Sequence, residues 1–130
     1  PQYQFTCEAQ PEFLPEQSDA AQSAYVFAYT LTIRNTGNVP AQLIARHWVI
    51  NDAAGRSQEV KGLGVVGQQP LLKPGESFQY TSGSRLRTVS GTMHGSYFFV
   101  AEDAERFEVV IPLFILEATN SGGTARRVLH

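Results

Sequence analysis

The stretch "YVFAYTLTIRNTGNVPAQLIARHWVI", Tyr25 to Ile50, holds two apolar runs around one turn. In the first run Tyr25, Phe27, Tyr29, Leu31 and Ile33 occupy alternate positions, while Thr30, Thr32 and Arg34 take the other face. Successive side chains of a strand point to opposite sides, so this period of two describes an antiparallel strand with one face buried. Asn35 to Pro40 then offers residues tolerant of positive φ followed by a proline, which predicts a turn into "AQLIARHWVIN". That second strand carries Trp48, the only tryptophan of the chain.

The same grammar extends outward. "DAAGRS" (Asp52 to Ser57) predicts a turn into "SQEVKG", and "LKPGES" (Leu72 to Ser77) a turn into "FQYTSG", with Phe78 and Tyr80 on one face. "GTMHGSYFFV" and "RFEVVI" are two strands joined by the acidic loop "AEDAE", the second alternating with Phe107, Val109 and Ile111 opposite Arg106 and Glu108, and a first strand lies near "YQFTCEAQ". "TSGSR" reads as a strand end and turn, and "PEQSDAAQSA" (Pro15 to Ala24) lacks the apolar stripe of a helix and reads as a connection. About seven short antiparallel strands with turn signals near every ten residues predict an all-β fold, an immunoglobulin-like or fibronectin type III-like antiparallel β-sandwich. In such a sandwich Trp48 is expected to anchor the core between the sheets.

At 130 residues, with 42% hydrophobic and 11% aromatic content, the chain suits one packed domain. A net charge of −2 without a basic stripe argues against a nucleic-acid or anionic-membrane partner. No segment has the apolar length of a membrane span or the pattern of an export signal, so a cytoplasmic location is expected, in keeping with a single cysteine, Cys7.

Chemistry-bearing motifs are few. "KGLGVVGQQP" contains Gly62, Gly64 and Gly67 in a G-x-G-x-x-G spacing. The dinucleotide fingerprint needs a helix after the glycines to receive the pyrophosphate, and Pro70 and Pro74 exclude one here. Backbone amides of a glycine loop can still form an anion nest without a helix. The candidate phosphate or pyrophosphate site is then Lys61, Gly62, Gly64, Gly67 and Lys73, provided the fold brings Lys73, Arg85 or Arg46 beside the loop. The sequence favours the structural reading, in which glycines mark a bulge or close backbone approach.

His47, His94, His130, Cys7 and the group Glu102, Asp103, Glu105 show no metal-ligand spacing, so no metal and no cofactor is expected. Ser82 and Ser84 lie in no nucleophile-elbow pattern, and no catalytic residues are assigned. In "SYFFV" a period of two cannot bury Tyr97, Phe98, Phe99 and Val100 together. One pair faces away from the core, which makes Tyr97 and Phe98 the candidates for partner contact, unless "PLFIL" (Pro112 to Leu116) covers that face.

"TIRNTGNVPAQLIARHWVI", "VKGLGVVGQQPLLKPGESFQYTSG", "GTMHGSYFF" and "RFEVVIPLFIL", in this order between Tyr3 and Leu116, resemble the ApaG family. Where family members often have glycine before the last strand, this chain has Ala104. The resemblance implies a fibronectin type III-like fold, no established catalytic reaction, an association with cobalt and magnesium resistance, and use of the same domain as a protein-interaction module in eukaryotes. It also implies that phosphate or pyrophosphate binding belongs at Gly62 to Gly67. The expectation is therefore a non-enzymatic interaction module acting in divalent-cation homeostasis through an unidentified protein partner, with small-anion binding at the glycine loop as the alternative. Residues 1–116 are expected to form the sandwich and 117–130, rich in glycine and small residues, a flexible tail.

Overall fold

The alternation that begins at Tyr25 produces an 11-residue strand, β2 (Tyr25–Asn35), burying Phe27, Tyr29, Leu31 and Ile33. The structure, a computed structural model, describes residues 2–119. Strand β2 is the centre of a three-stranded antiparallel sheet, flanked by β1 (Phe5–Phe13) and β6 (Ser77–Leu86). The facing sheet runs β4 (Ser57–Leu63), β3 (Ala41–Asp52), β7 (Ser90–Ala101), β8 (Arg106–Glu117), and the two-residue β5 (Leu71–Leu72) pairs with the start of β3. The result is the expected antiparallel sandwich of fibronectin type III kind. The described residues form eight strands rather than about seven, because β5 is too short to show alternation.

Both inner faces contribute to one core, in which Phe27, Leu31 and Ile33 lie with Leu43, Met93, Tyr97, Phe99, Ile111 and Leu116. Trp48, 2% exposed, meets the rings of Tyr29, Tyr97 and Phe114 edge-on, and burying such a side chain contributes about 1.5–3 kcal/mol. Asn35 is buried at the β2–β3 turn with its amide fully used: Nδ2 donates to the Val39 and Leu72 carbonyls, and Oδ1 accepts from the Gly37 amide.

Three sequence expectations need correction. "TSGSR" is not a turn, because pairing with β2 as far as Tyr25–Leu86 supplies a distant backbone partner that local composition does not reveal. "PLFIL" is not a separate cover, because β8 continues through Pro112. The β7–β8 register shifts between Met93 and Gly95, and this bulge on an edge strand accommodates a residue without an N–H. The strand also includes Glu117, which pairs with Ser90, and Ala118 donates to the Val89 carbonyl; the tail residues 120–130 lie outside the described residues. "PEQSDAAQSA" is a connection, containing two short 3₁₀ turns, Pro15–Gln17 and Ala20–Gln22. Ala104 takes the left-handed conformation, φ +74°, that glycine would adopt without strain. Among the described residues no helix is long and apolar enough to cross a membrane.

Candidate functional site

The glycine loop links the end of β4 to β5. Val65 and Gln68 close a two-residue turn by exchanging N–H···O bonds of 2.8 and 2.9 Å, with Val66 and Gly67 both at positive φ. Gly64 donates to the Ile44 carbonyl at 2.8 Å, and a Cβ there would lie 2.4 Å from the Gln68 oxygen. Three amides of the loop are thus ladder and turn donors. Gly62 pairs with Arg46, and a Cβ at Gly62 would meet the Arg46 guanidinium at 2.8 Å. The glycine pattern therefore serves close approach and turn geometry, with Arg46 as its beneficiary.

The five residues of the candidate anion site are not one constellation. Lys61 lies opposite His47 on the outer face of the sheet, whereas Arg46 and Gly62 share the inner side. Lys73 belongs to the β5–β6 turn, where its amide donates to the Glu76 carboxylate at 2.8 Å. Of the cations considered beside the loop, the fold supplies Arg46 alone. Its Nη1 donates to the Leu63 and Gly64 carbonyls, both at 3.0 Å, and it forms no ion pair among the described residues. With Val65, Gly67, Tyr29, Tyr80 and Ser82 it lines a cavity of about 220 Å³ at the mouth between the sheets. Burial pushes the Tyr29 and Tyr80 hydroxyls up, so both stay protonated.

The outer face of the five-stranded sheet carries a second feature. Tyr97 and Phe99 are fully buried, and Phe98 and Val100 point outward between them. This corrects Tyr97 as a partner-contact candidate: it is a core residue whose hydroxyl bonds that of Tyr80 at 2.6 Å. Phe98 heads a cross-strand row Leu63, Ala45, Phe98, Glu108, and the next row reads Lys61, His47, Ser96, Val110. All of these but Val110 border a groove of about 410 Å³. Leu63 is 75% exposed and Val110 71%.

The sequence reading missed the grouping of His47 and Ser96 with Glu59, which pairs with Val49 one row further on. His47 Nε2 and Glu59 Oε2 are 2.8 Å apart, and this hydrogen bond holds the Glu59 carboxyl below the usual range. Ser96 sits opposite His47 but makes no side-chain hydrogen bond to the ring. A serine nucleophile would need that bond and oxyanion donors, whereas here the flanking strand amides serve the ladder. Among the described residues no group of three His, Cys, Asp or Glu side chains could hold a metal ion. Cys7 is partly buried on β1, and burial pushes its thiol up to about 12, away from nucleophilic use at neutral pH.

Fold and surface together define a fibronectin type III-like β-sandwich that offers an apolar sheet face and a small cation-lined mouth. The chain belongs to the ApaG family: the family model described as the ApaG domain matches residues 15–101. It is 62% identical over 136 aligned positions to Protein ApaG of Acidovorax sp. (strain JS42), covering all of this chain and 99% of that protein. It is 60% identical over 114 positions to Protein ApaG of Dechloromonas aromatica (strain RCB), covering 88% and 90% of the two chains. Among solved structures it is similar to the putative ApaA protein from Bordetella pertussis, with 57% identity and a TM-score of 0.87 over 88% of this chain and 94% of that one.

Proposed function

We propose that this chain is a cytoplasmic, non-enzymatic interaction module that holds a protein partner against the outer face of its five-stranded sheet. Any effect on cobalt or magnesium tolerance passes through that partner. The observation that carries this reading is the outward-facing apolar row of exposed Leu63 and half-buried Ala45 and Phe98 beside exposed Val110, rimmed by Lys61 and Glu108. An apolar centre inside a charged rim is the anatomy of a protein interface. The complementary partner surface inserts an apolar side chain into the groove and sets an acid against Lys61 and a base against Glu108. An indirect role in cation tolerance agrees with the lack of a metal-ligand group among the described residues.

The test is a photo-crosslinking residue at position 63, compared with one at Thr32 on the opposite sheet, in living cells. A discrete adduct expected at 63, absent at 32 and lost on Phe98→Ser supports the reading. Equal labelling at both positions, or an adduct indifferent to Phe98→Ser, overturns it.

A second reading has one observation in its favour. Arg46, without an acidic partner among the described residues, faces a cavity that also presents tyrosine and serine hydroxyls beside the glycine loop. A small anion held there by side chains, rather than by an amide nest, would lose affinity about tenfold or more on Arg46→Gln. Undiminished binding by that variant would remove the reading.

A further inference from the structure

At the other end of β4 from the glycine loop lies a cleft of about 660 Å³ lined by Gln22, Ser23, Arg56, Arg85 and Arg87. The two ends are seven strand residues apart, roughly 20 Å. Arg85 stands opposite Val26 near the end of β6, and Arg87 follows the buried Leu86, so the two flank it on alternate positions. Arg56 arrives from the β3–β4 turn. The convergence therefore depends on strands far apart in sequence.

Three arginines line this one cleft in a chain whose net charge is −2. Among the described residues no carboxylate lines the cleft, and the adjoining hollow of about 170 Å³, bordered by the same three arginines, adds Asp52 alone. Asp52 is already engaged, accepting from Arg56 Nε at 2.7 Å and from the Ala54 and Arg56 amides at 2.9 Å each. Arg85 and Arg87 form no ion pair among the described residues. With one carboxylate, Asp52, already bound to Arg56, the like charges of Arg85 and Arg87 beside it repel, and a bound anion relieves that repulsion. The planar fork of arginine suits phosphate oxygens in pairs, and Ser23 and Gln22 add neutral donors. The cleft has the volume of a small-molecule site, about 300–1,000 Å³.

We propose that the Arg56–Arg85–Arg87 cleft binds a small, multiply charged phosphate anion of the pyrophosphate class, either free or as the polyphosphate of a nucleotide. This site is separate from the glycine loop and from the outer sheet face, and stands independently of both functional readings.

The test is a titration of the full chain, isotope-labelled, with inorganic pyrophosphate at 50 mM salt as an experimental setting of roughly that strength, followed by backbone amide and arginine side-chain NMR signals. Saturable shifts are expected at Ser23, Arg56, Arg85 and Arg87. The double variant Arg85→Gln/Arg87→Gln should bind at least about tenfold more weakly, while Arg34→Gln and Lys61→Gln leave affinity unchanged. Both substituted positions are exposed, and a wild-type-like spectrum elsewhere verifies the fold; Arg87→Gln alone provides the reading if the double variant is damaged. ATP as a second titrant separates the sources: equal shifts with tighter binding point to a nucleotide, weaker binding to the free anion. Shifts confined to Gly62–Gly67, no saturable shifts, binding unaffected by the arginine variants, or equally tight binding of hexaglutamate would each overturn the proposal.

Discussion

Val66 is the residue whose placement conflicts most with its chemistry. It occupies φ +43° in the two-residue turn ahead of Gly67, at φ +78°, an arrangement that favours asparagine followed by glycine. A β-branched side chain in the left-handed region costs about 1–2 kcal/mol. We therefore expect Val66→Asn to stabilise the protein by about 0.5–1 kcal/mol, seen as a higher denaturant midpoint at unchanged slope. An unchanged or lower midpoint would show that Val66 compensates through contacts its 52% exposure does not suggest. At this scale the sequence displayed the glycine spacing and favoured a structural purpose for it, but not the contact it serves. Gly62 admits the guanidinium of Arg46, a contact that exists only because the two residues face each other across β3 and β4.

Strands were legible where alternation was uninterrupted, as in β2, and obscured where a bulge shifts the phase. Strand β3 slips against β7 between Leu43 and Ala45, and β7 slips against β8 between Met93 and Gly95. The second slip explains why "PLFIL" looked separate from "RFEVVI": Pro112 belongs to the irregularity rather than to a strand end. Gly95 is the element's critical point, because a Cβ there would stand 2.0 Å from the His47 carbonyl oxygen. Backbone, not a flexible side chain, would have to move. Gly95→Ala should destabilise by about 3 kcal/mol or more or prevent folding, whereas Gly67→Ala, with open space around it, should cost only about 1–2 kcal/mol of backbone strain. Urea unfolding of the two variants side by side checks the contrast, and equal losses would mean that β7 shifts freely at its bulge.

For the whole molecule, acid sensitivity follows from carboxylates that accept hydrogen bonds in the folded chain. Burial alone would raise Asp52, but hydrogen bonds from Arg56 and Ala54 prevail and hold it below the usual carboxylate range. Glu59 is held down by His47, and Asp103 by the Tyr3 hydroxyl, 2.5 Å away and joining the chain's start to the β7–β8 turn. A folded value below the unfolded one contributes stability above the unfolded pKa, about 4, and loses it as pH falls through the folded value. The denaturant midpoint should accordingly hold between about pH 7 and 5 and fall below about pH 4, with a shallower fall in Asp52→Asn. A midpoint that stays level into the acid range would show that these bonds form equally in the unfolded chain.

The sequence by itself determined the two-sheet class, the position of most turns, Trp48 as a core anchor and the family, because alternation and turn chemistry are local properties. Tertiary structure alone decided that Tyr97 faces inward and Phe98 outward, that Arg46 enters the mouth between the sheets, and that Arg56, Arg85 and Arg87 converge. The physical reason is register. A strand's pattern states which residues share a face, but only pairing with strands distant in the chain selects which face is buried and which side chains meet.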